Sequence, residues 1–218
     1  MEMTELLRLA APVMLKGAGY TLLFAVASML GGLLLGFVLA VARILPWKFL
    51  QWPAAIYVSL MRGTPLLVQV FVIYYGLPSV GIEFEPVTAG ILALSLNAGA
   101  YLSESLRGAL LGVAKGQWAA SYSLGMTYSQ TLRHVIAPQA LRIAVPSLSN
   151  TLISLIKDTS LVSVITVTEL MLATKEVIAI TFRPLPLYIA AALVYWVLSL
   201  CFEAVQHRLE SRLQRAHH

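Results

Sequence analysis

The chain has 218 residues, of which 59% are hydrophobic and 11% are charged. A soluble domain carries about 25% charged residues and has to present much of its surface to water. This composition therefore excludes an ordinary soluble protein and indicates one embedded in lipid. The net charge of +5 comes from scattered basic residues, which excludes the clustered basic surface of a nucleic-acid-binding protein. A single cysteine, Cys201, excludes a disulfide framework within the chain.

Five apolar segments are long enough to cross a bilayer, for which a helix needs about 20 apolar residues. Together they predict an all-α, polytopic membrane helix bundle. No low-complexity segment or Gly/Ser linker divides the chain, so residues 1–218 are expected to form a single transmembrane domain. The predicted spans cover residues 17–42, 53–77, 86–106, 143–168 and 184–205.

The distribution of Lys and Arg predicts the orientation of these spans, because cytoplasmic loops are enriched in both residues. The segments that follow spans one, three and five hold nine of the basic residues, whereas the segments on the opposite side hold four. The loop at residues 78–85 contains two Glu and no Lys or Arg. The sequence therefore predicts a cytoplasmic C-terminus and an N-terminus outside.

Small residues recur every four positions in the first span. Residues at this spacing share one helix face, and small side chains there let two helix backbones approach closely. The pattern predicts tight packing of the first span against a neighbouring helix. The residues are Ser28, Gly32, Gly36 and Ala40.

Polar side chains form two further stripes at helical spacing, one in span three and one in span four. Polar groups are costly in lipid, so both stripes are expected to face protein or a cavity. Arg62 lies in span two, directly before Gly63-Thr64-Pro65, where the proline is expected to break or kink the helix. The two stripes consist of Asn97, Tyr101 and Glu104, and of Asn150, Ser154 and Asp158.

The charges at Arg62, Glu104 and Asp158 allow two interpretations. They could meet the carboxylate and the ammonium of a zwitterionic substrate, because charges within a membrane usually have a functional role. They could instead pair with one another and hold the bundle together. The spacing of the residues leaves both interpretations open.

The segment at about residues 115–138 is too polar for a span. Helix-forming residues from Ala119 to Leu124 end at Gly125, a residue that commonly terminates helices. Thr127 and Gln130 have the spacing of a capping box, and a second short helix is expected to end near Val135. Two short helices on the cytoplasmic face would form either a docking element for a soluble partner or an interfacial helix.

This segment resembles the EAA loop of ABC-importer permeases, which reads Glu-Ala-Ala, three residues, Gly, nine residues, Ile-x-Leu-Pro. The matching positions are Ala119-Ala120-Ser121, Gly125 and Val135-Ile136-Ala137-Pro138, and the spacing from Gly to Pro is kept. Three positions depart from the pattern: Ala119 stands at the Glu, Ser121 at the second Ala and Ala137 at the Leu. The resemblance implies coupling helices that dock into a cleft of an ATPase subunit, with contacts from Gln117, Trp118, Ala119, Ala120, Ser121 and Gly125.

The rest of the chain is similar to permeases of the polar amino acid (His/Glu/Gln/Arg-type) subfamily, over roughly residues 16 to 200. Within that subfamily it is most similar to permeases of bacterial L-cystine importers, through residues 74–82 and the acidic Glu83-Phe84-Glu85-Pro86 that follows. The matching segments are Lys16–Leu22, Arg62–Leu66, Tyr74–Pro78, Leu94–Asn97, Glu104 with Arg107-Gly108, Lys115–Gln117, Pro138–Arg142 and Lys157–Leu161.

The resemblance implies the type I ABC importer permease fold and a location in the bacterial inner (plasma) membrane. It implies two permease subunits, which the cystine-type similarity favours as a homodimer, together with two ATPase subunits and an extracytoplasmic solute-binding protein. The chain lacks Gly-x-x-x-x-Gly-Lys-Ser/Thr, the loop that holds nucleotide phosphates. It is therefore expected to be a transport subunit rather than an enzyme and to bind no cofactor, while ATP and Mg belong to the partner ATPase.

The implied function is a translocation path for a polar amino acid, with L-cystine as the best candidate, operating by alternating access. In some relatives a substrate site lies midway through each permease subunit. On this basis Arg62 is expected near the substrate carboxylate and Glu104 or Asp158 near its ammonium. The full set of expected substrate-binding residues is Arg62, Thr64, Asn97, Glu104, Asp158 and Thr159.

Other functional classes fit the sequence less well. The four histidines lie outside the predicted spans, and His-Glu-x-x-His is absent, which argues against an intramembrane serine protease or metalloprotease. A secondary carrier or a channel that is not driven by ATP remains the alternative. Secondary transporters often contain internal repeats, and no convincing repeat relates the two halves of this chain.

Overall fold

The computed structural model describes residues 2–215, and the side chains of residues 2–212. Every regular element in that range is helical, which confirms the predicted all-α fold. The α-helices are α1 (Met3–Ile44), α2 (Lys48–Gly63), α3 (Leu66–Phe71), α4 (Pro86–Gly112), α5 (Lys115–Ser123), α6 (Tyr128–Thr131), α7 (Ala137–Asp158), α8 (Leu170–Thr181) and α9 (Pro184–Arg215).

Four helical stretches in the described residues are long and apolar enough to cross a membrane, namely Met3–Ile44, Pro86–Gly112, Tyr128–Ile165 and Pro184–Arg212. A fifth is formed if Lys48–Gly63 and Leu66–Val80, which meet at a bend of 108°, are counted as one span. This set corresponds to the five predicted segments. Helix α1 begins at Met3, well before residue 17, and it includes Pro12 and the charged residues that precede the apolar stretch.

The bend between α2 and α3 lies at the predicted position. Thr64 is extended, with φ −118° and ψ 147°, because a residue before proline is disfavoured in the helical region. Pro65 has no N–H to continue the helical ladder. We call the segment Leu66–Val80 beyond this bend the α3 limb; after α3 it continues as a π-helical turn and a 3₁₀ turn.

Helices α1 and α4 pack closely through the predicted small-residue stripe. A Cβ atom added at Gly36 would lie 2.9 Å from the Leu102 Cβ and 3.0 Å from the Gly99 carbonyl oxygen. One added at Gly32 would lie 3.0 Å from the Ala98 Cβ. The structure confirms that the absence of side chains here permits the close approach, and Ser28 and Ala40 on the same stripe are fully or almost fully buried.

The segment between α4 and α7 begins as predicted and ends differently. Helix α5 stops before Gly125, whose φ of +77° favours glycine, and the capping box is present, with the Thr127 N–H donating to the Gln130 Oε1 at 2.9 Å. The expectation of a separate second helix ending near Val135 was wrong. A π-helical turn at Leu132–Ile136, in which the Ala137 N–H donates to the Leu132 carbonyl, lets the helix run on into α7.

Helix α8 lies where no span was predicted, and polar contacts attach it to α1 and α9. The fully buried Glu169 carboxylate accepts the Leu172 N–H at 2.9 Å, which caps the helix, and the Tyr195 hydroxyl at 2.6 Å. The Thr21 hydroxyl accepts the Leu170 N–H at 3.2 Å and donates to Glu169 at 3.4 Å. These bonds satisfy N–H groups at the start of α8 that no helical carbonyl can reach.

Candidate functional site

A polar cavity of about 590 Å³ lies between the α2–α3 bend, α4 and α7. Ligand pockets for small molecules fall in this range of volume. Both predicted polar stripes line this cavity, in agreement with the expectation that they face protein or a cavity. Its polar lining residues are Arg62, Thr64, Asn97, Tyr101, Glu104, Ser105, Ser147, Asn150, Thr151, Ser154 and Asp158.

The structure brings five of the six expected substrate-binding residues to this cavity. Thr159 is the exception: its side chain is fully buried, and its hydroxyl donates to the Ile156 carbonyl at 2.8 Å. A contact between Thr159 and a substrate stays a prediction, and Thr159 does not line this cavity. The five that line it are Arg62, Thr64, Asn97, Glu104 and Asp158.

Two opposite charges in the cavity are free of ion pairs with the other described side chains. The Arg62 guanidinium carbon lies 5.5 Å from the centre of the Tyr101 ring, a distance suited to a cation–π contact. The Asp158 side chain, at the end of α7, lines the same cavity. Neither group is among the ion-paired side chains of the described residues.

Glu104 has partners that were not expected from the sequence. Its Oε1 accepts a hydrogen bond from Arg43 near the end of α1, and its Oε2 accepts one from Arg107 on α4 at 2.9 Å. Each carboxylate oxygen therefore already holds a guanidinium. Glu104 is therefore ion-paired, but its partners are Arg43 and Arg107 rather than Arg62, the partner that the second interpretation offered.

Gln69 is a further polar residue next to the cavity that the sequence interpretation missed. Its side chain is buried and donates to the Met61 carbonyl at 2.9 Å and the Thr64 carbonyl at 3.2 Å. Asn97 in turn donates to the Gln69 Oε1 at 3.0 Å. The signal in the sequence is a lone amide within the apolar run of the α3 limb, four residues after Pro65.

The expected coupling residues form a largely exposed segment between α4 and α7. Gln117, Ala119, Ala120 and Gly125 are exposed, whereas Trp118 is half-buried and Ser121 is buried. The Trp118 ring stacks on Tyr128 with 5.6 Å between ring centres, which joins α5 to α6. Leu124 at the tip is 82% exposed. Exposed apolar surface rimmed by polar residues is typical of a protein interaction site.

Comparison with known proteins identifies the family. Residues 32–215 match the family described as binding-protein-dependent transport system inner membrane component. The chain belongs to this family. It is a multi-pass inner-membrane permease subunit of an ABC amino acid importer and not the ATPase. The family therefore confirms the predicted transport role and disfavours the alternative of a carrier or channel independent of ATP.

Curated relatives with several substrate names resemble this permease along nearly its whole length. It is 45% identical over 205 residues to the L-cystine transport system permease protein TcyB of Bacillus subtilis (strain 168), and the match covers 94% of this chain and 88% of TcyB. It is 38% identical over 207 residues to the glutamine transport system permease protein GlnP of Escherichia coli (strain K12), covering 94% of each chain.

Solved structures show the same architecture. The permease superposes with a TM-score of 0.93 and 33% identity on a chain from the crystal structure of an amino acid ABC transporter with histidines, covering 97% of this chain and 99% of that one. A chain of the MetNI methionine ABC transporter in an inward-facing conformation has a TM-score of 0.76 at 19% identity and covers 98% of this chain. That second likeness supports the fold alone.

Proposed function

We propose that this permease forms the translocation path for a zwitterionic polar amino acid, with L-cystine as the preferred substrate. The observation that carries the proposal is the polar cavity in which Arg62 and Asp158 offer opposite charges free of ion pairs. The similarity to TcyB supports cystine, and the similarity to GlnP makes glutamine the first competitor to test.

In this proposal Arg62 binds the substrate carboxylate and Asp158 binds its ammonium. Charge-assisted hydrogen bonds of this kind are stronger than neutral ones. Asp158 suits the ammonium better than Glu104, because both oxygens of Glu104 already accept hydrogen bonds from arginines. Thr64 and Asn97 contribute uncharged polar groups to the same cavity.

The proposed assembly contains two copies of the permease, two ATPase subunits that bind ATP and Mg, and an extracytoplasmic solute-binding protein. The exposed surface around Leu124 and Ala119 docks into the ATPase. Because Ala119 stands where the family pattern has Glu, that contact is largely apolar. The N-terminus lies outside and the C-terminus in the cytoplasm. ATP binding and the loaded receptor shift the population between inward- and outward-facing states.

The decisive experiment measures uptake of labelled L-cystine by proteoliposomes that contain the permease with its ATPase and binding-protein partners. Unlabelled L-cystine is expected to compete more strongly than L-glutamine, L-histidine or L-arginine. Stronger competition by another amino acid would reject cystine and keep the importer. Uptake without any requirement for ATP would reject the proposed mechanism.

Asp158→Asn tests the ammonium site in the same assay. Loss of the charge is expected to reduce uptake at least about tenfold, since a hydrogen bond to a charged group contributes roughly 1.5–3 kcal/mol. Glu176→Gln is the matched control, because it removes one negative charge from an exposed position on α8 outside this cavity. Equal uptake by the two variants would contradict the assignment.

A further inference from the structure

The bend in the second span leaves a backbone carbonyl without its helical partner. In an α-helix the carbonyl of residue i accepts the N–H of residue i+4, so the Met61 carbonyl would pair with residue 65. That residue is Pro65, which has no N–H. An unpaired carbonyl costs several kcal/mol where no water can reach it. Something else has to donate to Met61.

Gln69 replaces the missing donor. Its Nε2 lies 2.9 Å from the Met61 carbonyl oxygen, 2.8 Å from the Thr64 Oγ1 and 3.2 Å from the Thr64 carbonyl oxygen. The amide has two hydrogens, so one of them is shared between two of these three acceptors. The Thr64 hydroxyl then donates to the Leu60 carbonyl at 2.8 Å. Backbone carbonyls only accept, so the NH₂ end of the amide is the end that faces them. The side chain of Gln69 is 8% exposed, which protects these bonds from exchange with water.

Asn97 ties the same bend to α4. Its Nδ2 donates to the Met61 carbonyl at 3.2 Å and to the Gln69 Oε1 at 3.0 Å. These two bonds use both hydrogens of the Asn97 amide. Any contact that Asn97 makes with a molecule in the cavity therefore has to come from its Oδ1, which is an acceptor suited to an ammonium and unsuited to a carboxylate.

We propose that Gln69 is a positioning residue that fixes the bend between α2 and the α3 limb and thereby holds Arg62 and Thr64 in place for substrate. Gln69 is not a lining residue of the 590 Å³ cavity. It acts through Met61, Thr64 and Asn97, all of which it contacts. Side-chain hydrogen bonds therefore hold the angle of the bend, which is not free to change as a flexible hinge would be. This inference rests on the proposed function, because it assumes that an amino acid occupies the cavity.

The first arm of the test compares Gln69→Met with Gln51→Met. Methionine keeps the approximate size of glutamine and removes its hydrogen bonds. Gln51 lies on α2, donates to the Leu45 carbonyl at 2.6 Å and does not line the cavity, so it provides a matched loss of one side-chain-to-carbonyl bond. The Gln69 variant is expected to raise the KM for uptake about tenfold with a smaller change in maximal rate, because the cavity groups are displaced. The Gln51 variant is expected to leave KM unchanged.

The second arm measures the bend without any substrate. Spin labels are attached at Trp52→Cys on α2 and Val80→Cys on the α3 limb, both exposed positions at 69% and 70%, in a Cys201→Ser background. The distance distribution between the labels is expected to be narrow with Gln69 present and to broaden in Gln69→Met. It is expected to stay narrow in Gln51→Met.

The two arms separate the possible failures. An unchanged distribution in Gln69→Met would overturn the proposal, as would a broadened distribution with an unchanged KM, since the bend would then be loose without affecting the site. Reduced yield of folded protein in both variants at unchanged KM would show a structural role only. If the unsubstituted importer takes up no amino acid, the proposed function fails, while the distance distribution still decides whether Gln69 fixes the bend.

Discussion

On one side of α4, Gly99 and Leu102 meet the glycines of α1, whereas on the other side Asn97 and Tyr101 line the polar cavity. The first face depends on the absence of side-chain atoms, because a single added carbon at Gly36 would approach backbone atoms to 3.0 Å. The second face depends on particular polar atoms in particular places. Changes on the packed face should act on folding, and changes on the cavity face should act on transport.

The largest effect is expected at the packed face. Gly36→Ala forces α1 and α4 apart and should destabilise the permease by roughly 1–3 kcal/mol, the usual cost of overpacking. Unfolding of the purified protein in detergent measures this change. Gly19→Ala is the matched control on the same helix, since no atom lies within 4 Å of the added carbon. Equal stability of the two variants would show that the α1–α4 contact tolerates extra volume.

A smaller effect on stability and a clear effect on transport are expected at Glu104. Glu104→Gln leaves Arg43 and Arg107 close together without the carboxylate that separates their charges. We expect uptake to fall about tenfold, while the loss of stability stays at about 1 kcal/mol, because all three side chains keep some contact with solvent. Uptake assays and detergent unfolding on the same preparation measure both.

A double variant sharpens the Glu104 prediction. Adding Arg43→Gln to Glu104→Gln removes the repulsion between the two arginines and should recover part of the lost uptake. Absence of any recovery would mean that Glu104 contributes to transport through its own charge. Glu104 would then bind the substrate ammonium, as one of the two residues expected there from the sequence.

The smallest effect is expected at Tyr101, whose ring lies beside Arg62. Tyr101→Leu removes the cation–π contact, which contributes about 0.5–1 kcal/mol at an exposed site, and should raise KM roughly two- to fivefold. Tyr101→Phe keeps the ring and should stay close to the original KM. A large effect of Tyr101→Phe would instead assign the function to the hydroxyl.

The small-residue face of α1 and the polar face of α4 could both be predicted, because helical spacing is a local property of the sequence. Residues at i and i+4 share a face wherever the helix sits, so the small-residue stripe of Gly32 and Gly36 and the polar stripe of Asn97 and Tyr101 were both found. The bend before Pro65 was found for the same reason, since the effect of proline on its own helix is local.

The partners of these residues could not be predicted, because they come from other helices. Arg43 and Glu104 are 61 positions apart and Thr21 and Glu169 are 148 apart, and no local rule states which helices become neighbours. The second coupling helix was predicted to end too early because a π-helical turn carries the chain past Pro138 without a break. Gln69 was missed because its role follows from a carbonyl orphaned at Met61.

The continuous helix at Tyr128–Ile165 has a mechanical consequence. This helix runs from Tyr128, close to the exposed Leu124, to Asp158 in the cavity, and that part of it is about 45 Å long at 1.5 Å per residue. A tilt of the helix by about 5° about one end therefore displaces the other end by about 4 Å. A displacement of that size exceeds the donor–acceptor distance of a hydrogen bond, which is about 3 Å. If the proposed ATPase docks between α4 and α7, a small tilt of this helix at its Tyr128 end would therefore be enough to make or break a contact at Asp158.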